Sequence, residues 1–446
     1  MLSAERSCRA VRHHFEASII IPVFNQWHLT RACLRALAAT TKGKSVEVLI
    51  MDNASTDDTP EACPLLGKQL FGDAFRYFRS SQNINFGPAS NLGAKHAQGK
   101  YLIFLNNDTI PLPGWYQPLI DDFTKFPHIA ATGPLLLYPE STPFGYTVQH
   151  LGVAVTPLLR VTHLYEGIPA DSPLARKRRF FQIITAACMV IPRTLFMEAD
   201  LFDEKLINGF EDVDLCLRLK QQGYQMTVNP GTRVVHYTSQ TPGRHTFEKK
   251  NSIYAFNKCA KMLVPDWHEH LKYDGLALRI GTWQDIGVFC PSETCHQLDS
   301  MATAASYESL KSLLLRHPFW EKGWELLLSS CPNEREKAIL QSISYRLYPD
   351  ANKALEFYAS AMVAGDRQRA ADWLNKSKSF LVSLKKYVNK GKELRSWCDS
   401  IGFADLAGQY TDWLAHAERF SKEQLQPFLA KQKQAFAEFS AQAAPR

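Results

Sequence analysis

The first half of the chain alternates between short apolar runs and segments whose apolar positions recur with helical spacing. Four apolar runs have the length of β-strands, at residues 17–24, 46–51, 75–78 and 101–105. Helical patterns follow the first and third of them, at residues 29–39 and 88–97. The first run has no alternating polar positions, which is typical of a strand buried on both faces. Strands that alternate with helices predict an α/β domain with a parallel sheet.

Polar loops follow three of these strands, at residues 52–59, 83–87 and 106–108. In such sheets, ligands bind at the edge formed by the carboxyl ends of the strands. The carboxylate of Asp52 can accept the ring N–H of uracil or thymine. Gly87 lets the backbone approach a ligand at a helix N-terminus, which favours phosphate. The last loop ends in the acidic residue Asp108, at a position where the charge of a bound diphosphate would need to be neutralised.

Further acidic residues and one histidine complete the candidate site. Glu211, Asp212 and Asp214 crowd the start of a predicted helix. His236 follows a short predicted strand at residues 232–235. Carboxylates and imidazole are the side chains that hold metal ions and move protons, so these residues extend the candidate chemistry.

Each of these residues also has a structural interpretation. Asp52 could cap a turn, and acidic residues at a helix start are favoured by the helix dipole. Asp214 and Arg218 are four residues apart, and we assign them to a surface ion pair. A lone histidine such as His236 is more often a buried residue bonded within the fold than a metal ligand. Considered together along the chain, however, several polar loops at strand ends are not all explained by structural roles of this kind. This favours a functional site.

From about residue 300 the chain changes to helical periodicity. Residues 353–374 resemble one tetratricopeptide-type helical hairpin, with segments 320–327 and 404–413 as candidate neighbours. A repeat array and a plain helical bundle both fit this pattern. The predicted divisions are an extension at residues 1–16, an α/β domain at 17–280, a linker at 281–300 and a helical domain at 301–446.

Bulk properties exclude several classes of protein. A chain of 446 residues, with 45% hydrophobic and 21% charged residues, predicts a globular protein of two domains. A net charge of +7 is too weak a bias for a general nucleic-acid binder. The ten scattered cysteines indicate reduced thiols, and a zinc site at Cys290, Cys295 and His296 lacks a second ligand pair. No apolar run reaches the length of a membrane span, so we expect a cytoplasmic protein and leave open a peripheral contact with the inner face of a membrane.

Six strings of the chain occur in the order in which a known family has them. They are IIIPVFNQ (19–26), MDNASTDDT (51–59), NINFGPASNLG (83–93), YLIFLNNDT (101–109), GFEDVDLCLRL (209–219) and VVHY (234–237). Residues 17 to about 260 resemble the family 2 glycosyltransferases of the GT-A fold, in particular the bacterial branch that builds surface polysaccharides or glycosylates proteins. The resemblance implies a mixed, mostly parallel sheet between helices, followed in this chain by an all-α domain.

The resemblance also implies how a nucleotide-sugar donor is bound. Asp52 would contact the base, Asn53 and Ser55 would shape the base pocket, and Pro22 and Phe24 would line it. The other donor-binding residues that the resemblance implies are Asn83, Gly87, Asn91 and Asn107.

A metal ion and a catalytic base are implied in the same way. Asp108 would bind Mn²⁺ or Mg²⁺ with His236 as the second protein ligand, and Asp212 would be the base, with Glu211 as the alternative. The chain departs from the family at Asn106, where an aspartate is common. An amide oxygen is a neutral ligand, so the diphosphate would have to supply more of the charge. One base without a carboxylate nucleophile implies a single displacement, which inverts the anomeric carbon.

We therefore expect an inverting, metal-dependent glycosyltransferase that moves a sugar from a UDP- or dTDP-sugar to a hydroxyl of a glycan or lipid-linked saccharide. One alternative is a protein acceptor such as flagellin, bound through the helical domain. Another is a nucleotide-binding helical scaffold without enzymatic activity. A dinucleotide-dependent oxidoreductase is not supported, because no G-x-G-x-x-G follows the first strand.

Overall fold

The chain divides into two compact units. A computed structural model describes residues 14–139, 141–238 and 248–441. The first unit comprises residues 1–139, 149–153 and 178–263, and the second comprises residues 140–148, 154–177 and 264–446. The second unit therefore includes residues that lie, in sequence, within the stretch predicted as one α/β domain.

Strands and helices alternate through the first part of the chain. In chain order the elements are β1 (Phe15–Val23), α1 (Trp27–Thr40), β2 (Val46–Asp52), α2 (Thr59–Phe71), β3 (Phe75–Arg79), α3 (Phe86–His96), β4 (Gly99–Leu105), β5 (Thr109–Pro111), α4 (Tyr116–Lys125), β6 (Ile129–Leu137), β7 (Val148–His150), β8 (Val153–Val155), β9 (Val161–His163), β10 (Arg179–Phe181), β11 (Cys188–Pro192), α5 (Arg193–Glu198), α6 (Glu211–Gln221), β12 (Gln225–His236) and α7 (Glu248–Cys259).

The first unit is built on a mixed, mostly parallel sheet. Its strands run in the order β10-β12-β6-β11-β4-β1-β2-β3, and β5 pairs with β12. β1 is parallel to β2 and β4, and β2 is parallel to β3, whereas β11 runs antiparallel to β4 and β6. The predicted α/β fold class and its βαβ alternation are confirmed.

The central strand β1 is buried on both faces. Its residues Ile19, Ile20 and Ile21 are all completely inaccessible to solvent, as expected for a parallel strand covered on both sides. The register places Val23 opposite Asp52, at the carboxyl ends of β1 and β2. The predicted polar loops therefore leave the sheet at the same edge.

β12 is longer than the sequence predicts. The predicted strand covers residues 232–235, but β12 extends over Gln225–His236. Asn229, Pro230 and Gly231 have the composition of a turn, which hides the strand in the sequence. In the structure a register shift between Asn229 and Arg233, against β6, absorbs them as an irregularity within one strand.

The predicted ion pair between Asp214 and Arg218 forms, but not at the surface. Asp214 is buried, and its Oδ2 accepts a hydrogen bond from Arg218 Nε at 2.9 Å. Lys258 Nζ lies 2.7 Å from the other oxygen, and Arg218 also donates to the carbonyls of Ala199 and Leu201. Helical spacing predicts the pair, but it does not reveal that α7 brings a second cation to the same carboxylate.

The second unit is mainly helical and includes a β-hairpin. Its remaining elements are α8 (Trp267–Tyr273), β13 (Ala277–Ile280), β14 (Ile286–Phe289), α9 (Ser292–Ala302), α10 (Tyr307–Arg316), α11 (Glu321–Ser330), α12 (Glu334–Leu347), α13 (Ala351–Val363), α14 (Arg367–Ser377), α15 (Leu384–Ser400), α16 (Ala404–Ala415), α17 (Ala417–Phe420) and α18 (Gln426–Ala441). β14 and α9 lie within residues 281–300, where the sequence predicts a linker. A four-residue strand is too short to produce a periodic signal.

α13 and α14 form the helical hairpin that the sequence predicts at residues 353–374. The rings of Phe357 and Trp373 pack across it, with centroids 5.1 Å apart. Asp366 begins α14 by accepting the backbone N–H of Arg369 at 3.0 Å. No helix within the three described ranges has both the length and the apolar character needed to cross a bilayer.

Candidate active site

The loop after β2 is organised around the buried carboxylate of Asp52. Its Oδ1 accepts the backbone N–H of Ser55 at 2.9 Å, and its Oδ2 accepts the Tyr77 hydroxyl at 2.6 Å. Arg79 Nε lies 3.2 Å from the same Oδ2. Burial raises the pKa of Tyr77, and the hydrogen bond to Asp52 raises it further, so the phenol remains a donor. Asp52 thus has its hydrogen bonds within the fold.

Asn53, the next residue, retains an open acceptor. Its side chain is 4% exposed, and its Nδ2 donates to the carbonyl oxygen of Asn85 at 3.4 Å. Its Oδ1 is buried and has no hydrogen-bond partner in the part of the chain that the structure describes. A buried acceptor without a partner costs about 1–3 kcal/mol. At the end of β1, Pro22 is buried and Phe24 is half-buried.

Several non-glycine residues in these loops have left-handed backbone conformations. They include Asn25, Ala54, Asn85, Asn208 and Phe210, with φ between 53° and 72°. Such conformations are costly for residues with a side chain, and they persist where the surrounding structure holds them. Asn25, Ala54 and Asn85 lie in the loops after β1, β2 and β3, at the edge of the sheet where ligands bind in such folds.

The loop after β3 is tied to the segment that precedes α6. Asn83 Oδ1 accepts the backbone N–H of Asn85 at 2.9 Å. Asn208 Oδ1 accepts the N–H of Phe86 at 3.0 Å, and its Nδ2 donates to Asn85 Oδ1 at 3.2 Å. The first N–H of α3 is therefore already bonded, and the predicted donor loop lies beside the segment that leads to Asp212.

Three predicted donor-binding residues make their contacts within the fold. Asn91 is buried, its Oδ1 accepts the Phe202 N–H at 3.0 Å, and its Nδ2 donates to the Phe202 carbonyl at 2.9 Å. A Cβ on Gly87 would lie 3.7 Å from Phe202 Cβ, so this glycine also faces that residue. Asn107 Nδ2 donates to Thr30 Oγ1 at 3.0 Å. A motif does not reveal which of its side chains support the fold.

Asp108 and His236 lie side by side and are both buried. His236 Nε2 is 3.2 Å from Asp108 Oδ1 and 3.2 Å from Asn106 Nδ2. Two neighbouring ligands at about 2.1 Å from an octahedral cation are about 3 Å apart, so the pair fits a divalent metal ion. No third His, Cys, Asp or Glu joins them among the described residues. Diphosphate and water oxygens would have to complete the coordination.

Gln149 contacts the other side of His236 and was not predicted from the sequence. Its Oε1 lies 2.7 Å from His236 Nδ1, and its Nε2 donates to the His236 carbonyl at 2.9 Å. Gln149 is in β7, 87 residues before His236, and outside all six motif strings. No periodicity or spacing in the chain points to this contact.

Asp212 and Glu211 have different surroundings at the start of α6. Glu211 is buried, and its Oε2 accepts the backbone N–H of Gly209 at 2.6 Å. Asp212 is half-buried, and its two oxygens accept the N–H groups of Ala186, at 3.0 Å, and Val213, at 2.8 Å. A carboxylate has about four lone-pair positions, so Asp212 can accept further hydrogen bonds.

Residues Ala186 and Ala187 connect Asp212 with the loop after β4. Ala186 donates to Asp212 Oδ2, and the next carbonyl, of Ala187, accepts the N–H of Asn106 at 2.9 Å. Asn106 in turn contacts His236. The structure thus brings together the predicted base and the predicted metal ligands, which are far apart in the sequence.

Comparison with known proteins identifies similar chains. Residues 18–198 match the model of the family described as glycosyl transferase family 2. An O-antigen biosynthesis protein of Myxococcus xanthus is 33% identical over 236 residues, which cover 51% of this chain and 18% of that protein. The chain thus matches only a small part of this relative's length.

Two further similarities cover more of the other protein. An N-acetylglucosaminyl-diphospho-decaprenol L-rhamnosyltransferase of Mycobacterium tuberculosis is 26% identical over 258 residues, covering 54% of this chain and 81% of that protein. A solved mannosyltransferase of Pyrobaculum calidifontis, in complex with GDP-Man and Mn²⁺, is 16% identical with a TM-score of 0.41, and the match covers 75% of this chain and 88% of that one.

Proposed function

Because residues 18–198 form a family 2 glycosyl transferase domain, we propose that the chain transfers a sugar from a UDP- or dTDP-sugar to a hydroxyl of a glycan or lipid-linked saccharide. The observation that carries this proposal is a chain of hydrogen bonds from Asp212 to the pair Asp108 and His236. It runs through Ala186, Ala187 and Asn106. The name of the Mycobacterium tuberculosis relative specifies a saccharide on a lipid diphosphate, which supports an acceptor of that class.

The loop after β2 would select the base of the donor. Uracil and thymine present a ring N–H, which needs an acceptor. Asp52 would organise the loop through Ser55 and Tyr77, because its side chain is completely buried and both of its oxygens already accept hydrogen bonds. The unpartnered Oδ1 of Asn53 would then accept the ring N–H, which removes the cost of leaving a buried acceptor unsatisfied. This assignment moves the direct base contact from Asp52 to its neighbour.

Asp108 and His236 would hold Mn²⁺ or Mg²⁺. When bound, the cation would neutralise the negative charge that develops on the departing diphosphate. One carboxylate and one imidazole fit this role, since both ligand atoms are buried next to each other at 3.2 Å. Asn106 contributes a neutral amide, so the protein itself brings only one negative charge to the ion.

Asp212 would act as the catalytic base. Two backbone N–H groups fix the orientation of its carboxylate, and its remaining lone pairs are free to accept the proton of the acceptor hydroxyl. Glu211 is held by Gly209 and closes the turn before the helix. With one base and no carboxylate nucleophile, the acceptor oxygen would displace the diphosphate directly and invert the anomeric carbon.

We expect UDP or dTDP, with Mn²⁺, to raise the melting temperature of the protein, and ATP not to do so. The reason is that adenine has no ring N–H to donate to the acceptor beside Asp52. A ligand at 100 times its dissociation constant stabilises a protein by about 2.7 kcal/mol, which a thermal-shift assay detects. Equal stabilisation by ATP would contradict the base pocket. Donor hydrolysis or transfer by the same preparation separates an enzyme from a binding scaffold.

Replacing His236 with alanine should weaken metal-dependent donor binding more than it weakens folding. The measurement is the Mn²⁺ concentration that gives half-maximal turnover. His150→Ala is the matched control, because His150 is also buried and its Nε2 accepts the Thr185 N–H at 3.4 Å. If both variants lose stability equally and keep the same Mn²⁺ dependence, His236 is only a structural histidine.

A further inference from the structure

Gln149 makes two hydrogen bonds to one residue, His236. The amide oxygen Oε1 faces ring atom Nδ1 at 2.7 Å, and the amide nitrogen Nε2 faces the backbone carbonyl of the same histidine at 2.9 Å. Gln149 is 5% exposed and His236 3% exposed, so neither bond competes with bulk water. The glutamine thus holds both the ring and the backbone of the predicted metal ligand.

The second bond determines the orientation of the amide. A backbone carbonyl can only accept, so the group of Gln149 that faces it must be the NH₂ group. The oxygen Oε1 then faces Nδ1, and because Oε1 can only accept, Nδ1 must carry the hydrogen. With the proton on Nδ1, the neutral imidazole has its lone pair on Nε2, where it can accept a hydrogen bond from Asn106 Nδ2 at 3.2 Å. Asp108 Oδ1 also lies 3.2 Å from Nε2, and a cation between these two atoms would replace the repulsion of their lone pairs by attraction.

We propose that Gln149 is a positioning residue that fixes His236 in the Nδ1–H tautomer, so that Nε2 is presented with its lone pair toward Asp108 as a ready metal ligand. This inference rests on the proposed function for the metal ion, and it adds a residue that no motif of the chain identifies. An outer partner of this kind sets the tautomer and the ring orientation of a ligating histidine, and its loss typically costs 10–100-fold in metal affinity.

The tautomer can be tested without any metal ion. In protein labelled with ¹⁵N-histidine, the His236 ring signals, assigned by their absence in His236→Ala, should show the hydrogen on Nδ1. In Gln149→Leu, which removes both bonds with little change in size, we expect the hydrogen to move to Nε2, where it can be donated to Asp108. An unchanged tautomer in Gln149→Leu would overturn the proposal.

Metal affinity is the second measurement. Mn²⁺ titration followed by electron paramagnetic resonance should give a dissociation constant 10–100-fold higher for Gln149→Leu than for the unmodified chain. Asn229→Leu is the matched control, because Asn229 is a buried amide on the same strand as His236 and bonds to Asp122 instead. A loss of melting temperature equal to the control, with Mn²⁺ affinity unchanged, would also overturn the proposal.

Three further outcomes are informative. Gln149→Glu keeps an oxygen toward Nδ1 but cannot donate to the His236 carbonyl, so it should retain the Nδ1–H tautomer. It tests the cause of the tautomer separately, also if the leucine variant does not fold. A glutamate variant with the hydrogen on Nε2 would contradict the proposed cause. If the unmodified chain shows the Nδ1–H tautomer but binds no Mn²⁺, the metal site of the proposed function is wrong. The inference that Gln149 prepares His236 to bind a metal ion then fails as well. If Mn²⁺ binds but the tautomer is Nε2–H, only the inference about Gln149 fails.

Discussion

Replacing Asp212 with asparagine is expected to lower turnover by about 10²- to 10⁴-fold, the usual contribution of a positioned general base. Asparagine has one oxygen, which can still accept the Ala186 N–H, and it loses the bond to the Val213 N–H, so the start of α6 should keep its structure with a small loss of stability. It cannot take a proton from the acceptor hydroxyl. The loss should therefore lie in the chemical step, with donor affinity preserved. Single-turnover rates at saturating donor, together with the donor dissociation constant, measure the two effects separately.

Glu211→Gln is the control for this prediction. Glu211 uses its Oε2 to accept the Gly209 N–H, and glutamine can make the same bond with its amide oxygen, so turnover should remain close to that of the unmodified chain. If Glu211→Gln abolishes transfer and Asp212→Asn does not, the two roles are reversed. If both variants keep full activity with a defined acceptor, the two acids only complement the helix terminus and Asp212 is not the base.

The edge of the sheet at which the site lies could be predicted from the sequence. The uninterrupted apolar run around Ile19–Ile21 indicates a strand buried on both faces, and each polar loop begins where an apolar run ends. Parallel pairing then places the ends of β1 and β2 together, as the register of Val23 with Asp52 demonstrates. These features follow from local hydrophobicity and chain direction, which a single sequence contains.

The direction in which individual side chains point could not be predicted. Asn53 and Asn91 are both asparagines in polar motifs, yet Asn91 is bonded to Phe202 and Glu204, while Asn53 keeps an oxygen without a partner among the described residues. Gln149 reaches His236 from a three-residue strand with no periodic signal. Such contacts depend on how distant segments pack, and neither composition nor spacing encodes them.

The second prediction with a large expected effect concerns the hairpin of β13 and β14, in the second unit. Trp283, at its tip, is buried in the core of that unit. Its ring has centroids 5.2–5.3 Å from the rings of Phe380, Phe420 and Phe428. Its Nε1 donates to Asp350 Oδ2 at 2.8 Å, and the other oxygen of Asp350 caps α13. One side chain thus joins the hairpin to several helices.

Replacing Trp283 with alanine should therefore lower the stability of the second unit by about 3–5 kcal/mol, the usual cost of truncating a buried tryptophan. Hydrogen exchange of the amides of α13 and α18 measures this loss locally, which matters because a chain of two units need not unfold in one step. Trp283→Phe keeps an aromatic ring but leaves Asp350 Oδ2 without its donor, so it should cost about 1–3 kcal/mol. Val363→Ala, at a side chain that is 90% exposed, should change protection by less than about 0.5 kcal/mol. If Trp283→Ala changes protection no more than Val363→Ala does, the hairpin tip does not stabilise the helices around it.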